Sequence, residues 1–181
     1  FKAGKRDGLT RIYNSSKTLI SEQMFKAGVG HGHLREWRSD GSMALDMTYD
    51  NGVPDGRRRV WSSECELSRV GHWKQGKLDG ELRTWHSYPN QLMERSHFKG
   101  GKRNGMAEAW SINGLLTRKH EHIAGKRHGE SSGWHANSQR AFETYWSRGK
   151  QDNAVRAWHP SGAPAVIGAY SEGRRLSLGC Y

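Results

Sequence analysis

Large apolar side chains in this chain fall in columns that recur every 24 residues, with turn-forming residues between them. Aromatics open successive copies at Phe1, Phe25, Tyr49, Trp73, Phe98, Trp146 and Tyr170, and His122 takes the remaining place. One extra residue in the fourth copy is the sole departure from the spacing. A second aromatic column runs through Tyr13, Trp37, Trp61, Trp85, Trp110, Trp134 and Trp158, and a mostly apolar third through Leu19, Met43, Leu67, Leu92 and Leu116. A fixed period of this length marks a repeat protein.

Glycines punctuate the columns. One set, Gly4, Gly28, Gly52, Gly76, Gly101, Gly125, Gly149 and Gly173, is complete. A second, four residues on, runs from Gly8 to Gly129 and gives way to Asn153 and Ser177. Glycines so placed, often with Lys or Arg after the first, imply a turn whose backbone needs positive φ, which Asn tolerates better than most residues. After the second aromatic column come Asp40-Gly41, Asn113-Gly114, Asn137-Ser138 and Ser161-Gly162, the dipeptides of tight hairpins.

Apolar positions do not recur at three and four residues, and no segment between turns is long enough for a helix. Each copy reads as strand, tight turn, strand, glycine turn. The expected fold is all-β: a repeat solenoid of about eight 24-residue β-hairpin units starting at 1, 25, 49, 73, 98, 122, 146 and 170, in one domain over residues 1–181. These units would form about fifteen short strands in one elongated, twisted antiparallel sheet. Hydrophobic residues are only 34% of the chain, so aromatics are expected to pack from unit to unit rather than against a second layer.

These columns resemble the variant class of MORN repeats found in the bacterial YwqK-type antitoxin family. The residues that carry the resemblance are the openings YDNGVPDG at 49–56 and FKGGKRNG at 98–105, and WSINGLL at 110–116. The match extends over essentially the whole chain, departing from the family pattern at Cys65, Arg140, Pro164 and the lengthened turn Ser87-Tyr88-Pro89-Asn90. The resemblance implies a hairpin-repeat sheet and a non-enzymatic antitoxin or immunity protein that binds and occludes a cognate bacterial toxin or secreted effector, a lipase-type effector being one setting.

Net charge is +11 with a pI near 10.0, which favours a partner with an acidic contact surface. Arg11, Arg35, Arg59, Arg83 and Arg156 share one column, interrupted by Glu108 and Ser132, two residues before the conserved aromatic and therefore on its face of the strand. Each arginine could stack on its aromatic neighbour or present its fork to carboxylates of a protein partner. Arg35, Arg59 and Arg83 with Trp37, Trp61 and Trp85 are the residues expected to meet that partner, while Gly28, Gly52, Gly76, Gly101, Gly125 and Gly149 are structural. The alternative class is a basic module binding anionic phospholipid or nucleic acid, or a plain scaffold. Nucleic acid is the less favoured, since Glu108 breaks a continuous phosphate track.

Other chemistry is not supported by spacing. The GKxxG turns lack the strand, helix and Lys-Ser or Lys-Thr of a nucleotide loop. His86, His135 and His159 share a column whose steps are roughly 10 Å, too wide for a metal site. The pairs His31 with His33 and His120 with His122 have no third ligand nearby and read as surface histidines, so neither metal nor cofactor is expected. No nucleophile stands beside a base, and a repeat surface without pockets offers no catalytic constellation. Cys65 and Cys180 lie five units apart and are expected not to pair. No apolar run reaches the length of a membrane-spanning helix. The sequence starts inside a motif at Phe1, so an upstream segment such as a secretory signal is expected, favouring a bacterial periplasmic or membrane-anchored setting over the cytoplasm.

Overall fold

The computed structural model describes all 181 residues, Phe1–Tyr181, and contains no helix. Fifteen antiparallel strands form one open sheet in chain order. The residues group into two compact units, Phe1–Asn90 and Gln91–Tyr181. The first holds β1 (Gly8–Tyr13), β2 (Leu19–Lys26), β3 (Val29–Trp37), β4 (Met43–Asp50), β5 (Val53–Trp61), β6 (Leu67–Lys74) and β7 (Lys77–Trp85). The second holds β8 (Leu92–Lys99), β9 (Lys102–Trp110), β10 (Leu116–Ile123), β11 (Lys126–Trp134), β12 (Arg140–Ser147), β13 (Lys150–Trp158), β14 (Pro164–Ser171) and β15 (Arg174–Cys180).

Two kinds of turn join the strands. Each even strand meets the next odd strand in a two-residue turn with both central residues at positive φ, for example Asn51 (47°) and Gly52 (81°), or Arg148 (52°) and Gly149 (86°). This is the type I′ geometry, whose twist matches that of the strands it connects. The complete glycine column occupies the second place. Its N–H reaches out of its own hairpin: Gly28 donates to the Arg6 carbonyl (2.7 Å), Gly52 to Gly30 (2.8 Å), Gly76 to Pro54 (2.8 Å), Gly125 to Arg103 (2.7 Å) and Gly149 to Arg127 (2.8 Å). Each accepting carbonyl stands just beyond the preceding type I′ turn, so within each unit these turns are tied to the one before.

A side chain reinforces the tie. Asp7 accepts the Ala27 N–H (3.1 Å), Asp55 the Gln75 N–H (3.0 Å) and Asn104 the Ala124 N–H (3.1 Å), each bond crossing to the next turn. The residue after this acceptor is the second glycine, which lies in a β-bulge of the odd strand and not in the turn itself. Gly56 and Gly105 have φ near 106° and 107°, and the register slips beside them, between Met47 and Tyr49 in β4 and between Ser96 and Phe98 in β8. Two extra residues of the odd strand are accommodated there by a left-handed backbone, which Asn153 also adopts at 60°.

At the other ends of the hairpins, apart from the lengthened connection at 87–90, the chain makes a type I turn closed by a left-handed residue. Gly41 donates to the Arg38 carbonyl and Arg38 to the Ser42 carbonyl (2.9 and 2.8 Å). Lys17, Cys65 and Ser138 fill the place that Gly41, Gly114 and Gly162 hold elsewhere. Long side chains again bridge consecutive hairpins: Arg38 donates to the Trp61 carbonyl, and His135 Nε2 to the Trp158 carbonyl at 2.8 Å.

Little apolar surface is fully removed from water. Met47 and Ala107 are the buried hydrophobic residues, whereas Trp37, Trp61 and Trp85 are half-buried and Tyr13 is exposed. Backbone ladders and cross-strand pairs therefore carry most of the order, with aromatics covering the sheet only in part.

Gly76 tests the turn, because a Cβ there meets nothing closer than Val53 at 4.0 Å and the penalty is purely one of backbone. Gly76→Ala is expected to cost about 1 kcal/mol or more in denaturant melts. Gln75→Asn, which restores the preferred Asn-Gly pair, is expected to raise the midpoint.

Candidate functional site

Cross-strand register places the arginine column in a row with residues from the intervening strands. In the first unit the Cα partners run Arg11, Glu22, Arg35, Asp46, Arg59, Val70, Arg83. Arg11 Nε meets Glu22 at 2.9 Å, Arg35 reaches Glu22 at 3.4 Å and Asp46 at 3.8 Å, and Arg59 binds Asp46. His33 Nδ1 donates to the same carboxylate at 3.0 Å. The carboxylates that a partner was expected to supply are in this case supplied by the chain. Asp46 is buried, yet its arginines keep about 40% of their side-chain surface. Burial alone would raise the Asp46 pKa, but bonds from His33 and Arg59 outweigh it and hold the carboxyl below its usual range.

Arg35 and Arg59 are thus brought together on one acid, and Arg83 is not. Val70 separates it from them, and it pairs along its own strand with Glu81 at 2.6 Å. Arg59 also lies over the Trp61 ring at 5.6 Å, and Arg83 lines a shallow depression with Trp85, Leu67 and Val70. The second unit carries its own row: Arg95 pairs with Glu108 at 2.5 Å, and Arg156 with Glu143 at 3.7 Å. Glu108, which broke the arginine column in sequence, is here the acid of a reversed pair.

The other face of the second unit holds groups that sequence reasoning read differently. His122 is buried at 8% exposure and His120 is half-buried, so this pair does not consist of surface histidines. Their rings meet edge to face at 6.3 Å. With Arg103, Arg118 and Arg127 they line a cleft of about 290 Å3, on a surface where no pocket was expected. Its floor is small because Ser96, Ala107, His120 and Ser131 are successive Cα partners, and Ala109, Arg118 and Gly133 form the next row. Glu94 holds Arg103 at 2.6 Å, whereas Arg118 and Arg127 are exposed and make no ion pair. Desolvation, then the charges of Arg127, His122, Arg118 and Arg103, push the His120 pKa down to about 4. Both histidines are neutral at pH 7 and unsuited, among three guanidiniums, to a cation.

Cys65 and Cys180 are free and exposed, and no helix is long and apolar enough to cross a membrane. Comparison with known proteins brings no family to this arrangement. No protein-family model matches the sequence, and no curated protein matches it.

Two outcomes follow from the charges. Asp46→Ala strands the guanidiniums of Arg35 and Arg59 and is expected to lower stability by about 1–3 kcal/mol in urea titrations, with a non-additive cycle against Arg59→Ala. For His120, the unfolded imidazole titrates near 6.5 and the folded one near 4, so the folded chain binds fewer protons between those values. Stability is complete above about pH 6.5 and declines towards pH 4. Thermal midpoints of His120→Gln should fall less steeply over that window than those of the wild type.

Proposed function

We propose that the chain is a non-enzymatic immunity protein or antitoxin that binds an acidic surface of a cognate bacterial toxin and blocks its access to substrate. The observation that carries this reading is the row Arg11, Glu22, Arg35, Asp46, Arg59. Its guanidiniums are fixed by the chain's own carboxylates while their side chains keep 40–51% of their surface in solvent.

A guanidinium has five N–H donors, and one or two suffice for its internal partner. The remaining donors are already oriented, so a partner's carboxylates meet them without the entropy loss of ordering free arginines. Trp61 beneath Arg59 adds the half-buried aromatic area typical of binding anchors. Backbone-defined turns hold the columns in register, leaving the side chains between them free to differ from one cognate pair to another. The resemblance to the YwqK-type antitoxins supplies the kind of partner, and a secreted lipase-type effector in a bacterial envelope is one that fits.

The test pairs capture with rescue. A protein retained from the native lysate should arrest growth when expressed alone and lose that effect when this chain is co-expressed. Arg59→Gln combined with Arg83→Gln is expected to weaken binding at least tenfold and abolish rescue while leaving the β-sheet circular dichroism in place. Full rescue by this variant, or a captured protein without toxicity, would contradict the reading.

A further inference from the structure

The internal repeats show what the cleft of the second unit has replaced. Where His122 stands, the other copies carry Phe1, Phe25, Tyr49, Trp73, Phe98, Trp146 and Tyr170. The column of Ala107 and Ser131 also holds Leu34, Leu82 and Val155 besides Thr10 and Arg58; His120 follows Gln23, Met47, Gly71 and Ser96 in its own, and Arg118 stands between Glu94 and Phe142. A histidine has thus replaced the aromatic of its column, beside small residues and a cluster of basic groups.

The exchange is unfavourable for the scaffold. His120 Nδ1 and His122 Nδ1 are shut from solvent with no hydrogen-bond partner. A buried polar atom left so costs stability that the aromatic of the other copies would not. Such a local break in a consistent pattern is where function is expected.

We propose that this cleft is a binding site for a phosphate monoester in its dianionic form, gripped by Arg118 and Arg127, with His120 and His122 donating from Nε2. Three guanidiniums against the single carboxylate of Glu94 leave two positive charges, matching the ligand. Glu108 reaches the rim, but its carboxylate is held by Arg95 at 2.5 Å. Because Nδ1 of each histidine is enclosed, a proton on Nε2 avoids a stranded N–H and aims a donor at the ligand. Arg127 is steadied over the Trp146 ring at 5.1 Å and Arg103 over Phe98 at 5.8 Å, so both heads are positioned in advance. Donors that come from β9, β10 and β11 approach from several directions, which suits a tetrahedral oxyanion; a planar carboxylate would engage one fork. The volume of about 290 Å3 admits the phosphoryl group with a small organic substituent. The cleft shares no residue with the row Arg11, Glu22, Arg35, Asp46, Arg59 on which the proposed function rests.

Calorimetric titration with phenyl phosphate at pH 7.5 and low salt tests it. Expected is saturable 1:1 binding, at least tenfold weaker in Arg118→Gln and in Arg127→Gln, and unchanged in Arg156→Gln on the other face. His122→Phe, which restores the aromatic of the column, should abolish binding and raise the thermal midpoint, separating loss of the site from loss of the fold. Absence of saturation, an equal loss in Arg156→Gln, or equally tight binding of succinate would each overturn the proposal. Vesicles distinguish the source of the phosphate. Retention on phosphatidic acid but not phosphatidylglycerol, lost in Arg118→Gln, assigns it to a lipid headgroup; phenyl phosphate binding without vesicle retention assigns it to a soluble ester.

Discussion

Within each unit, the hydrogen bond from a turn glycine to a carbonyl of the preceding hairpin is the contact on which the architecture depends. A type I′ turn fixes the twist of one hairpin, and the outward N–H then fixes the next hairpin against it. A sheet without a second layer has few other means of register. Only Met47 and Ala107 are buried apolar residues, so slippage would not be opposed by a large hydrophobic core. The side-chain oxygens that accept from the following turn, those of Asp7, Asp55 and Asn104, serve the same end.

Once register is fixed, side chains of neighbouring strands become obligatory partners. The arginine column and the acids of the intervening strands form a row in which Glu22 and Asp46 offset part of the charge of the arginines. Pairing turns flexible arginines into positioned ones. On the opposite face of the second unit the register instead concentrates like charge, with Arg103, Arg118 and Arg127 around two neutral histidines. The same scaffold thus supports a row of ion pairs and a cleft that lacks its counter-charge.

Much of the fold was legible in the sequence, because turn chemistry and aromatic spacing are local signals. The 24-residue period led directly to paired strands and to the glycine at the turn. The second glycine set was harder to place: a bulge and a turn both demand positive φ, and only the pairing of the strands tells them apart. The candidate surface was half legible. Comparing residues 24 apart examines every second strand, whereas sheet neighbours such as Glu22 with Arg11 or Arg35 are eleven or thirteen residues apart in sequence. Read at that spacing, Glu22 and Asp46 would have announced the charged row. The cleft had a signal too, since His122 is the break in an otherwise aromatic column. Its meaning needed the register that sets Ala107 and Ser131 on either side of His120.

Amide hydrogen exchange at the turn glycines tests the central dependence most directly. Gly28, Gly52, Gly76, Gly125 and Gly149 lie at exposed chain reversals, where an unbonded amide would exchange about as fast as in a free peptide. Donation to the preceding hairpin predicts protection comparable to that of the strand interiors, lost together with global unfolding. Exchange at free-loop rates, with the strands still protected, would show that consecutive hairpins are held by something other than this bond.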